Sequence, residues 1–144
     1  MKNKMDSPAG RVILPYGRSL MALVAAHSLA RRGVEVIGCD DVDFTVLSFS
    51  RYATGNFVHA RWQDDPDQFI RDLERNIEKF RPDSDIPYVL MPIFTETALV
   101  AQHKERLERL ITVAGPDAAS IAKVSPKDAL MRTAEATGAA IPET

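Results

Sequence analysis

Cysteine is almost missing from this chain: Cys39 is the only one. No internal disulfide can form, and nothing points to an oxidising compartment. No run approaches the roughly 20 apolar residues that a membrane-spanning helix requires. The first residues, Met1–Pro8, are polar and lack the apolar stretch of a signal peptide. An excess of one charge is also lacking, since 18 basic residues are interspersed with 20 acidic ones for a formal net charge of −2. That argues against a protein that wraps nucleic acid, which carries a strong basic bias. Glycine is sparse, at 7 residues. What remains is 144 residues, 45% apolar and 26% charged. These values suit one soluble, cytoplasmic domain that buries its own core without metals or disulfides.

Short apolar runs alternate with longer helical stretches. Arg11–Pro15, Val34–Cys39, Asn56–Ala60, Tyr88–Pro92 and Leu110–Ala114 read as five strands, apolar and branched as strands covered on both faces must be. Ser19–Arg32 is nearly all apolar and stops at Gly33, a helix C-terminal signal. Asp65-Pro66-Asp67-Gln68 combines a cap, a first-turn proline and a Gln three residues after the cap. Phe69, Leu73, Ile77 and Phe80 then share one face, with Arg71, Asp72, Arg75 and Glu78 largely outside it. Thr95–Arg109 and Ser125–Gly138 read as two more helices. Residues 40–55 read as a loop with a short helical turn over Phe44–Phe49. This order predicts a Rossmann-like three-layer α/β/α domain with a five-stranded, mainly parallel sheet and right-handed crossovers. Residues 1–9 read as a disordered tail, 10–124 as the domain, and 125–144 as a helix and linker leading elsewhere, ending in Ile141-Pro142-Glu143-Thr144.

In an open α/β sheet, ligands sit outside the carboxyl ends of the strands. Three loops fall there. The first, Pro15-Tyr16-Gly17-Arg18-Ser19, precedes a helix whose N-terminus favours anions, and Arg18 could add a guanidinium for a carboxylate or phosphate. The alternative is a tight turn with Ser19 as cap and Arg18 in solvent. Asp40 and Asp41 follow the second strand, where a dinucleotide-binding domain holds a ribose. The first loop has only Gly17, however, so close approach of a pyrophosphate is not expected. A solvated turn or a substrate contact suits these aspartates better. Glu96 and Thr97 follow the fourth strand and could place a carboxylate beside Arg18; alternatively Thr95 caps the helix and Glu96 favours its dipole.

No metal-ligand spacing and no serine or cysteine nucleophile motif occurs, so no catalytic or metal residue is assigned. His27, His59 and His103 are scattered. Cys39 reads as a buried, inert thiol. Trp62 reads either as a shield over a cleft or as packing. Lys127 opens the last helix, an end that prefers anions. A bound phosphate would explain it, and so would simple solvation.

The order of these segments resembles the N-terminal domain that precedes the ATP-binding module of ATP-grasp enzymes, such as biotin carboxylase and carbamoyl phosphate synthetase-like ligases. Four stretches carry the likeness: Arg11–Gly33; Ser48-Phe49-Ser50-Arg51-Tyr52; Tyr88–Pro92 followed by Thr95-Glu96-Thr97; and Ser125-Pro126-Lys127-Asp128 through Gly138 to Ile141-Pro142-Glu143-Thr144. Together they span nearly everything from Arg11 onward. Ser125-Pro126 stands where the family often has an acidic residue, and the first loop is less glycine-rich than in many members. The resemblance implies a carboxylate–amine ligase that forms carbon–nitrogen bonds through an acyl phosphate, using ATP and Mg²⁺. It implies that Lys127 meets the nucleotide phosphates, and that the strand-end crevice with Gly17, Arg18, Ser19, Glu96 and Thr97 helps hold a small carboxylate or amine. It further implies partner ATP-grasp domains C-terminal to this stretch, without which the fragment is inactive and binds no cofactor tightly. Homodimers would be unsurprising for such ligases; no nucleic acid or membrane partner is implied. The competing expectation is a stand-alone Rossmann-like nucleotide or metabolite binding module, and a weaker one a dehydrogenase or epimerase fragment. A ligase domain predicts an apolar, poorly covered patch on the final helix, and a stand-alone module predicts a polar one.

Overall fold

The computed structural model describes residues 7–140. The expected linker Ile141–Thr144 and most of the expected tail lie outside the described residues. Ala9, at the end of that tail, already donates its N–H to the Gly33 carbonyl at 2.9 Å.

Five strands form one sheet: β1 (Gly10–Leu14), β2 (Val34–Asp40), β3 (Gly55–Val58), β4 (Tyr88–Leu90) and β5 (Thr112–Val113). Their order is β3-β2-β1-β4-β5, and every pairing is parallel. Successive residues of β1 point to opposite faces. Ile13 joins one core with Ile37, Leu90 and Val113, while Val12 and Leu14 join the other with Val36. Both faces must therefore be covered, which is why these strands are apolar throughout.

On the first face lie α2 (Pro66–Lys79), α3 (Thr97–Gln102) and α4 (Lys104–Leu107). They press Phe69, Ile70, Leu73, Ile77, Val100 and Leu107 onto the sheet. On the second lies α1 (Leu20–Ala30), whose small Ala22 and Ala26 let it sit close, joined by Leu47 of the loop after β2. That loop contains one turn, with Phe49 N 3.4 Å from the Thr45 carbonyl oxygen, as expected. Gly38 of β2 lies beneath it: a Cβ there would meet Asn56 Oδ1 at 2.5 Å and Leu47 Cδ2 at 2.9 Å. Gly33, at φ +76°, turns the chain out of α1 into β2.

Three details differ from the sequence expectation. The helix expected over Thr95–Arg109 is broken at His103 into α3 and α4, where φ −105° and ψ 14° leave the helical range. A further helix, α5 (Ala118–Val124), lies between β5 and α6 (Lys127–Thr137). Asp72, expected outside the buried face of α2, is buried. Its carboxylate accepts from Ala60 N at 2.8 Å, Gln68 Nε2 at 2.8 Å and Arg75 Nη2 at 2.7 Å, satisfying a group that would be costly to bury unpaired.

α5 and α6 pair with each other, and Thr133 Oγ1 donates to the Lys123 carbonyl at 2.7 Å. Neither has a buried residue. No helix among the described residues is long and apolar enough to cross a membrane.

Candidate functional site

The chain runs from β1 to β2 and β3 on one side, then returns to β4 on the other side of β1. Such a reversal leaves a crevice beyond the carboxyl ends of the two central strands, because the flanking connections diverge to opposite faces. A cavity of about 170 Å³ occupies that position. Tyr16 and Arg18 enter it after β1, and Asp40 and Asp41 at the end of β2. His59, Arg61 and Trp62 enter after β3, and Phe94 and Glu96 after β4.

The first loop is drawn tight. Gly17 N donates to the Cys39 carbonyl at 3.0 Å, and the Gly17 carbonyl accepts from Leu47 N at 3.0 Å. A Cβ on Gly17 would stand 3.0 Å from Thr45 Oγ1. Gly17 is therefore a close-packing residue and does not line the cavity. Tyr16 pays for the turn with φ 62°, a conformation costing a non-glycine residue on the order of 1 kcal/mol. Its ring stacks on Phe94, with centroids 4.5 Å apart and planes 6° from parallel. Such strain persists only where the surroundings hold it, and it is concentrated at functional sites.

Arg18 is not a free guanidinium. Its backbone N donates to Asp40 Oδ2 at 2.9 Å, and its Nε lies 2.9 and 3.1 Å from the two Asp40 oxygens. Its Nη2 pairs with both Asp40 and Asp41. The hydrogen bond to Asp40 raises the Arg18 pKa above its ordinary value. Asp40 is 3% exposed, so a solvated turn at this aspartate is ruled out. It clamps the first loop to the end of β2. Arg61 approaches Asp41 from the other side, at 3.8 Å.

Glu96 is 4% exposed. Its Oε1 accepts from Ile93 N at 3.0 Å and Phe94 N at 3.1 Å. The expected Thr95 cap is absent: Glu96 occupies the cap position of α3, and no side chain caps that helix. The carboxylate folds back onto its own loop and fixes the ring of Phe94 opposite Tyr16.

His59 is buried against Phe69, edge to face at 4.8 Å. Its Nδ1 lies 2.9 Å from the Ala60 carbonyl oxygen. That oxygen can only accept, so Nδ1 carries the proton. Burial lowers the His59 pKa and favours the neutral ring. Asp72, by holding Ala60 N, fixes the segment that delivers His59, Arg61 and Trp62.

Of the residues assigned from sequence, Arg18 and Glu96 meet in the cavity, with Asp40, Asp41 and Trp62 beside them. Ser19 caps α1, accepting from Met21 N at 3.0 Å. Thr97 N donates to the Phe94 carbonyl at 3.1 Å. Ser19, Thr97 and Gly17 are not among the cavity-lining residues, and Lys127 stands exposed on α6, also apart from the lining. Cys39 is buried, and burial with the nearby Glu96 and Asp40 charges pushes its thiol pKa well up. Sequence reasoning missed Tyr16, His59 and Asp72. Only Asp72 had a readable signal, its i,i+4 spacing from Gln68.

Fold and cavity together define an open, doubly wound α/β domain with a charged and aromatic crevice at its switch point. A scan against protein-family models finds no match, and no curated protein matches the chain.

Proposed function

We propose that this chain is the substrate-binding N-terminal domain of an ATP-dependent carboxylate–amine ligase of the ATP-grasp type. The observation that carries the reading is the crevice. Charged groups that are fixed before a ligand arrives, beside an ordered aromatic pair, suit the holding of a small polar reactant. The order of sequence segments described above supplies the family. The unburied α5–α6 hairpin adds support, with Val124 48% and Leu130 47% exposed. A stand-alone binding module expects a polar outer face there.

In this reading ATP and Mg²⁺ belong to domains C-terminal to α6 and supply activation of a carboxylate as an acyl phosphate. Lys127, exposed at the start of α6, offers one ammonium to the phosphates. One solvated lysine is too little to hold a nucleotide alone, so the domain by itself is inactive. Its own residues bind and orient a reactant: Tyr16 and Phe94 wall the crevice, and Glu96 and Asp41 set its charge.

The test is ADP release by the product of the complete gene, measured with panels of carboxylates and amines. The reading expects release that requires both reactants, and a Michaelis constant for ATP raised about tenfold or more by Lys127→Ala, as the loss of one hydrogen bond to a charged group would give. A reading frame that closes after Thr144, or ADP release indifferent to the amine, contradicts it.

A further inference from the structure

We infer that the crevice receives the amine reactant, as a primary ammonium, and not the carboxylate. The inference rests on reading the crevice as the ligand site.

The inner guanidinium of the crevice is already engaged. Arg18 directs Nε and Nη2 at Asp40 and Asp41. Arg61 lies between Asp41, at 3.8 Å, and Asp64, at 3.9 Å. The Arg18 guanidinium is therefore not left to fork a carboxylate, the geometry that makes arginine a carboxylate receptor, whereas Arg61, its side chain 59% exposed, is held only by these two longer ion pairs.

Two acceptor atoms are not engaged. Glu96 uses Oε1 for two backbone N–H groups, and its Oε2 accepts from no donor among the described residues. The neutral His59 ring, protonated on Nδ1, leaves Nε2 as a lone-pair acceptor. The cavity lining carries two guanidinium groups against three carboxylates, Asp40, Asp41 and Glu96. An arriving carboxylate would meet that surplus negative charge in a partly dehydrated space, where repulsion is weakly screened. An ammonium would meet two open acceptor atoms and a buried counter-charge, in a lining that also carries Tyr16, Phe94 and Trp62. The size fits a short chain: a cavity of roughly 150 Å³ holds a benzene, and this one is about 170 Å³.

Trp62 is the only tryptophan and lines the cavity, so its emission reports occupancy without a label. The full chain is titrated with 1,4-diaminobutane, succinate and butane-1,4-diol, which match in length and differ in charge. The diamine is expected to change the emission saturably, with an affinity that falls as NaCl rises, and the other two are expected to do nothing over the same range. Glu96→Gln keeps an Oε1 acceptor for Ile93 and Phe94 and is expected to weaken the diamine about tenfold or more. Saturation by succinate and not by the diamine overturns the ammonium while the crevice stands as a ligand site. No response to any probe overturns both. Unchanged diamine affinity in a folded Glu96→Gln protein also overturns the ammonium assignment; should that variant not fold, the three wild-type titrations decide.

Discussion

His59 carries a measurable consequence of being buried in the wall of the crevice. Its pKa is lowered from 6.5, chiefly because charging a buried ring costs solvation. Below that pH the unfolded chain takes up a proton that the folded chain resists, so the unfolded state binds more protons and stability rises with pH. The domain is expected to hold its stability above pH about 6.5 and to lose it progressively as the pH falls below that value. Urea midpoints at a series of pH values check this, and His59→Gln should flatten the slope across that window; equal slopes contradict it. None of this was legible in the sequence, where His59 was one of three scattered histidines. The neighbouring Arg18 was legible as a charge at the right strand end, but its partners were not. Asp40 and Asp41 lie more than twenty residues away, and the pairing exists only because β1 and β2 run side by side.

The α5–α6 hairpin meets the body of the domain where α5 lies against α3. With no buried residue in either helix, opening it exposes little apolar surface, whereas opening α2 exposes Phe69, Leu73 and Ile77. Amides of α6 are therefore expected to exchange with solvent at least about a hundred times faster than the central amides of α2. Protection of α6 should rise in the complete gene product if a further domain packs there. Equal protection of α2 and α6 in the chain alone contradicts this account of the hairpin. The strongly periodic α2 was read almost to its ends, because a cap, a first-turn proline and an apolar face all agreed. The segment after β4 was not. Leu99, Val100, His103 and Leu107 keep a helical spacing, and spacing alone does not register the change of backbone at His103. α5 did carry a signal: Asp117 caps Ser120 N at 2.6 Å, just after Gly115-Pro116.

The alternation of strand and helix determined the parallel sheet, because parallel neighbours require crossovers long enough to hold helices. The strand order then follows from the direction in which each crossover turns, and with it the place of the crevice. The crevice is thus a property of the fold, whereas its charge pattern belongs to this particular sequence. The account depends on that crevice being where ligand meets protein. Amide ¹H–¹⁵N spectra of the chain, recorded with increasing 1,4-diaminobutane, test it most directly. The account predicts that the moving resonances cluster at Tyr16, Arg18, Asp41, Phe94 and Glu96, while α6 stays still. Movements centred on α6 or the outer face of α1, with the crevice unmoved, would contradict it.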